Sequence, residues 1–201
     1  MDMEVVGERH SGVPRLVRFL SSLLERIAVS NDTCRAIGSS TQNKVTVFHG
    51  LTRPPISLGS YMERIFTYAN CSPCCYAIAY IYLDRFVQRY PLLSFDSFNI
   101  HRLLITSVMA AAKFMDDICY NNAYFAKVGG ISTMEMNYME REFLFGLNFR
   151  LNVTPTEYHS YCTYLQREMC LDYPVILLRS QCSSLSEVDE SKNQQKQQIT
   201  L

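Results

Sequence analysis

The sequence predicts an all-α protein. Two strongly apolar helical segments follow one another, CCYAIAYIYLDRF (74–86) and a stretch that ends in AAAKFMDD (110–117). Both are too apolar for a surface, yet each closes on charge. On either side of them apolar residues recur at three- and four-residue spacing, the signature of an amphipathic helix. There is no convincing strand, since Val45-Thr46-Val47 is short and isolated. At 201 residues the chain suits one compact domain with tails.

The elements follow in order. Residues 1–12 read as a frayed end, and Pro14 sits where a first helical residue belongs. Leu16, Leu20, Leu24 and Ile27 form a stripe, and Asn31-Asp32 ends that helix. Residues 31–57 read as a linker, polar at first and then extended at Arg53-Pro54-Pro55, because a residue before proline is pushed out of the helical region. A helix over about 58–70 carries Tyr61, Ile65 and Tyr68 on one side. Ser72 caps the next helix and Pro73 opens it. Cys75, Ile78, Ala79, Tyr82, Leu83 and Phe86 mark its buried face, widened by Ala77 and Ile81, so this helix is central. Tyr90-Pro91 stops it. The next helix spans about 97–115, and its small residues Ser107 to Ala112 let another backbone approach. Asn121-Asn122 and Gly129-Gly130 bracket a short element. Ser132 and Glu135 form a capping box for a helix to about Leu147, and Thr154 with Glu157 forms another. Tyr158, Cys162, Leu165 and Met169 stripe the last helix. Beyond about Ser183 the chain is Ser-, Gln- and Lys-rich and reads as a disordered tail. Residues 184–201 are expected to be dispensable.

Composition narrows the function. The 19 basic residues balance 19 acidic ones, so no basic field draws nucleic acid or a membrane surface. No signal peptide and no membrane-length apolar run is visible. The eight cysteines lie mostly in apolar helical patterns, where they act as small hydrophobes and stay reduced. The expected location is intracellular, in the nucleus or cytoplasm.

Catalytic patterns are scarce. His10, His49, His101 and His159 stand apart, and there is no phosphate-cradling loop or nucleophile elbow. No enzyme activity, cofactor or metal is expected. Cys71-x-x-Cys74-Cys75 lacks the second cysteine pair that structural zinc needs. Ser72-Pro73 and Thr154-Pro155 match a proline-directed phosphorylation pattern, but helix capping explains both. Periodicity alone makes Lys113 a snorkelling lysine and Glu140 an exposed glutamate paired along its own helix.

Residues 14–169 resemble the plant U-type (also called P-type) cyclins, relatives of the fungal cyclins of phosphate-starvation signalling. The matching segments are LSSLLERIA (20–28), FHGLTRPPISLGSYMERIFTYANCSPCC (48–75), YLDRF (82–86), AAAKFMDD (110–117) and EREFLFGLNFRLNVTP (140–155). The resemblance implies a five-helix cyclin box with one flanking helix on each side. In domain terms that gives a flanking helix at 13–30, a linker at 31–57, the box at 58–150, a C-terminal helix and extension at 151–180, and a tail at 181–201. It implies a regulatory subunit that binds and activates a cyclin-dependent kinase, a plant A-type one, in cell-cycle or nutrient control. An adaptor without kinase activation is the alternative. Lys113 and Glu140 match the family positions that bond the kinase main chain near its C-helix. Asp84 matches a family aspartate that forms a buried pair with a first-helix arginine, and Arg64 is the arginine present. The first helix lacks the tryptophan-bearing motif of mitotic cyclins.

Overall fold

The computed structural model describes residues 13–37 and 45–170; the expected frayed end, 1–12, and the expected tail lie outside the described residues. Among these residues there are seven helices and no strand: α1 (Arg15–Ala36), α2 (Leu58–Ala69), α3 (Cys74–Arg89), α4 (Ile100–Met115), α5 (Asn122–Gly129), α6 (Thr133–Gly146) and α7 (Pro155–Cys170). Five form the central group, and α1 and α7 flank it. No described helix is long and apolar enough to cross a membrane.

Local chemistry sets most boundaries. The Ser57 hydroxyl accepts the Ser60 N–H at the start of α2, and Asn70 leaves it in the left-handed region at φ 47°. The Asn121 side chain caps α5, and Gly130 ends it at φ 70°, a conformation glycine adopts without a Cβ penalty. Ser132 and Glu135 satisfy each other's backbone N–H in a complete capping box. At α7 only half of the expected box forms. Thr154 Oγ1 accepts the Glu157 N–H at 3.2 Å, while the Glu157 carboxylate turns to Arg85 at 2.7 Å.

Two expectations are corrected near the N-terminus. α1 does not stop at Asn31-Asp32 but runs to Ala36. Distant partners hold its last turn: Asn31 donates to the Phe95 carbonyl, Asp32 accepts from Arg53 and Ser97, and Arg35 pairs with Asp96. The segment 45–57 is not a loose linker either. Phe48 is buried, and the Gly50 N–H donates to the Phe98 carbonyl at 2.8 Å.

The core forms around α3 and α4. Every residue from Cys75 to Asp84 is buried on α3, and every residue from Leu103 to Ala112 on α4. α4 lies against α2, α3, α5 and α6. Its small residues, Ser107 to Ala112, therefore face neighbouring helices inside the domain and offer no surface to a partner. Phe86 stacks on Phe143 at 4.9 Å between ring centres, and Phe48 meets Phe86 edge-on at 5.5 Å. Gly146 makes room for this group, because a Cβ there would lie 2.1 Å from Phe86 Cε2.

Candidate partner-binding site

The end of α4 and the middle of α6 meet at the surface. Lys113 lies in the last turn of α4, directly after its buried small residues, and Glu140 lies on α6 opposite it. Lys113 Nζ donates to Glu140 Oε1 at 2.6 Å. Asn122, on the first turn of α5, completes the group. Its amide nitrogen donates to Glu140 Oε2 at 2.6 Å and to Asn137 Oδ1 at 2.7 Å, and its oxygen accepts from Lys113. The side chains of Lys113 and Glu140 are 31% and 19% exposed, so both reach solvent. Glu140 thus pairs across helices, not along its own.

This arrangement suits main-chain recognition. An ammonium has three donors, and two are used here, leaving one for a partner's carbonyl. A carboxylate has about four lone-pair sites and can still accept an N–H. Exposed apolar side chains follow both residues along the chain. Phe114, Met115 and Ile118 follow Lys113, with exposures of 47%, 43% and 88%. Phe145 and Phe149 follow Glu140, exposed and edge-on at 5.3 Å. Asn148 and Phe149 hold left-handed backbone at φ 53° and 55°. The turn is fixed by a bond from the Phe149 N–H to the Leu144 carbonyl at 2.9 Å.

The expected Arg64–Asp84 pair does not form. Arg64 sits on the exposed face of α2 and donates to the Lys127 carbonyl at 3.1 Å, at the C-terminal end of α5. A cation there adds a second bond to a carbonyl that the Gly130 N–H also reaches, at 3.3 Å, where a helix end favours positive charge. Asp84 is buried, but it is tied to Gln88 at 2.8 Å and to the Tyr161 hydroxyl at 2.5 Å. It therefore joins α3 to α7 and leaves α2 aside. Its neighbour Arg85 does similar work, with the carboxylate of Glu157 and the carbonyls of Arg150 and Asn152 all in reach of its guanidinium.

Ser72 is also reassigned. It makes no side-chain cap on α3. Its backbone N–H donates to Asp116 Oδ2 at 3.0 Å, and its hydroxyl donates to Asp116 Oδ1. Asp116 directly follows α4, so a carboxylate remote in sequence anchors the start of α3. Sequence reasoning missed both Asn122 and this use of Asp116. Their one local signal is a polar side chain beside a helix end.

The Cyclin family model matches residues 14–151 of this chain. Cyclin-U4-1 of Arabidopsis thaliana is 57% identical over 193 residues, covering 95% of each chain. Cyclin-P4-1 of Oryza sativa subsp. japonica is 61% identical over 165 residues, covering 81% of this chain and 78% of its own length. Cyclin-U3-1 of Arabidopsis thaliana is 44% identical over 165 residues, covering 82% and 73% respectively.

Proposed function

Because the chain belongs to the cyclin family, we propose that it is the regulatory subunit of a cyclin-dependent protein kinase, of the plant A-type, and that it activates that kinase. The observation that carries this reading is the Lys113–Glu140–Asn122 group, partly exposed and with unused hydrogen-bonding capacity, followed along the chain by exposed apolar residues.

The physical route is a shift of population. A kinase is inactive while its C-helix is swung out, because the lysine–glutamate pair that holds ATP is then broken. A rigid surface that binds only the swung-in arrangement draws the equilibrium toward it. A nearly complete shift, from 1:99 to 99:1, needs about 5.5 kcal/mol of differential affinity. A mainly apolar contact of ordinary interface size, dominated by a few anchors, can supply that. Phe114, Ile118 and Phe149 are the candidate anchors. Lys113 and Glu140 would set the register by bonding main-chain groups near the C-helix.

The test is to mix the purified chain with a plant A-type cyclin-dependent kinase and measure both complex formation and phosphorylation of a peptide. Binding with activation supports the proposal. Binding without activation would instead favour an adaptor, and no binding would defeat the kinase assignment.

A further inference from the structure

The chain has two serine/threonine–proline pairs, Ser72-Pro73 and Thr154-Pro155. Both match the pattern of proline-directed kinases, and the structure gives them different roles. Thr154 is a helix cap, its Oγ1 accepting the Glu157 N–H at 3.2 Å. The Ser72 hydroxyl caps nothing on α3. It donates to Asp116 Oδ1, beside the 3.0 Å bond from the Ser72 N–H to Asp116 Oδ2. Capping therefore accounts for Thr154 and leaves Ser72 to another role. The loop between α2 and α3 also brings Ser72 near the surface. Asn70 and Pro73 are exposed, and Ser72 is half-buried between them. Asn70, in the left-handed region, turns the chain out of α2. Ser72 precedes α3 and Asp116 follows α4, so their two bonds can open without unwinding either helix.

We propose that Ser72 is phosphorylated by a proline-directed protein kinase, and that the phosphate drives Asp116 off the start of α3 and loosens the end of α4 that carries Lys113. In the transfer, Ser72 Oγ bonds to the γ-phosphorus of Mg-ATP. The bond from that phosphorus to the β–γ bridging oxygen breaks, and ADP leaves. The hydroxyl proton passes to the catalytic aspartate of the modifying kinase. A hydrogen-bond donor is thereby replaced by a group of nearly two negative charges at neutral pH.

Two forces then compete. A helix start attracts an anion through its open N–H groups. Here that attraction is weak. Pro73 has no N–H, and the N–H groups of Cys75 and Tyr76 already bond the carbonyls of Ser72 and Pro73 at 3.0 and 3.3 Å. The Cys74 N–H is what remains for a phosphate. Against it stands the Asp116 carboxylate, which loses the hydroxyl donor and meets a like charge, with Asp117 next in the chain. A phosphate beside a carboxylate disrupts the contact by repulsion and by desolvation, so the tie opens. At Thr154 a phosphate would still offer an oxygen to the Glu157 N–H, and α7 should keep its start. Asp116 lies three positions from Lys113, so the corner that loosens is the one next to the partner-binding group. The expected effect on binding of the partner kinase rests on the function proposed above; the modification and the loosening do not.

The full chain is incubated with Mg-ATP and a purified proline-directed kinase of the mitogen-activated class, and phosphate is located by tandem mass spectrometry. Phosphate should appear on Ser72 in the wild type and in Thr154→Ala. Exposed Thr154 serves as the internal control. Complete phosphorylation of Thr154 with none on Ser72 would overturn the site. Hydrogen exchange at 113–118 should rise in the Ser72-phosphorylated protein and stay unchanged in Ser72→Ala treated in the same way. No rise in protein fully phosphorylated on Ser72 would overturn the loosening. Asp116→Asn keeps an oxygen for the Ser72 N–H and removes the like charge. Its exchange should change less on phosphorylation than that of the wild type, and an equal change would overturn repulsion as the cause. Affinity for the partner kinase should fall about tenfold on Ser72 phosphorylation, within the usual range for coupled sites. If the unmodified protein binds and the phosphorylated protein binds equally well, the coupling fails. If the unmodified protein does not bind, the function proposed above fails, while the site and the loosening are still judged by mass and exchange.

Discussion

Asp116 accepts the backbone N–H of Ser72 across 3.0 Å, so the residue that ends α4 secures the residue before Pro73 at the entrance to α3. The two most buried helices of the domain are thus tied at one corner, the corner from which Lys113 projects. Rigidity at that corner is what the proposed recognition of a kinase main chain requires.

The Lys113→Ala, Glu140→Ala double variant should fold and fail to bind a cyclin-dependent kinase. The pair is partly exposed, so its loss should cost the fold less than about 1 kcal/mol. Circular dichroism should be unchanged while kinase pull-down is lost. Full binding by the folded double variant would refute the site. Glu140→Gln keeps an acceptor for Asn122 and should fall between the two.

Asp84→Ala should destabilise the protein by about 1–3 kcal/mol, because it strands the donors of Tyr161 and Gln88 beside α7. Arg64→Ala should cost no more than about 1 kcal/mol, since Arg64 is exposed and bonds one carbonyl. Their effects should add to within about 0.5 kcal/mol, as expected of residues that do not touch. A larger coupling in a double-mutant cycle by urea denaturation would restore the buried pair.

Gly146→Ala should lower stability by about 1–3 kcal/mol, the usual range for overpacking. The new methyl would collide with Phe86, and that ring cannot swing aside because Phe143, Phe48 and Tyr90 hold it. A melting temperature equal to wild type would mean that α6 can move off α3 freely.

Stability should fall as the pH drops below neutrality. The Nε2–H of His101 donates to the Ile56 carbonyl at 3.0 Å, while Nδ1 is buried without a partner. Burial holds the imidazole below its ordinary pKa, outweighing the Ile56 bond and the charge of Glu25. The unfolded chain therefore takes the proton first. The contribution of His101 is full above about pH 6.5, the ordinary imidazole value, and is lost as pH falls through the folded value. Asp96 has the same sign lower down. Burial raises its pKa, but bonds from His49 and the Phe98 N–H, with Arg35 nearby, leave it below the usual carboxylate range. Its share is full above about pH 3.9 and is lost on further acidification. Urea midpoints between about pH 7.5 and about pH 5.5 should decline more for wild type than for His101→Gln. Equal slopes would assign the effect elsewhere.

The helices could be read from the sequence because their signals are local. Ser132 and Glu135 act within one turn, and the stripe along 75–86 reports burial directly. The remainder depends on contacts that sequence spacing does not encode. Asn31-Asp32 looks like a stop, but Phe95 and Ser97, far along the chain, keep α1 going. Phe48 is one aromatic in a polar run and carries no period, yet it packs on Phe86. The identity of Arg64 said nothing of the face it occupies. At the candidate site, Lys113 and Glu140 were recoverable only through family resemblance, and Asn122 carried no signal that set it apart from an ordinary helix-start asparagine.

The left-handed turn at Asn148 and Phe149 bears on the speed of assembly. Side chains other than glycine resist that conformation, at roughly 1–3 kcal/mol each, and the cost is met when the domain folds. Phe149 is therefore aimed before any partner arrives. A kinase docking there would meet a finished surface, with no slow rearrangement on this side of the complex. Association should then follow single-step kinetics, near the orientation-limited range of about 10⁵–10⁷ M⁻¹ s⁻¹. Any lag would come from the kinase.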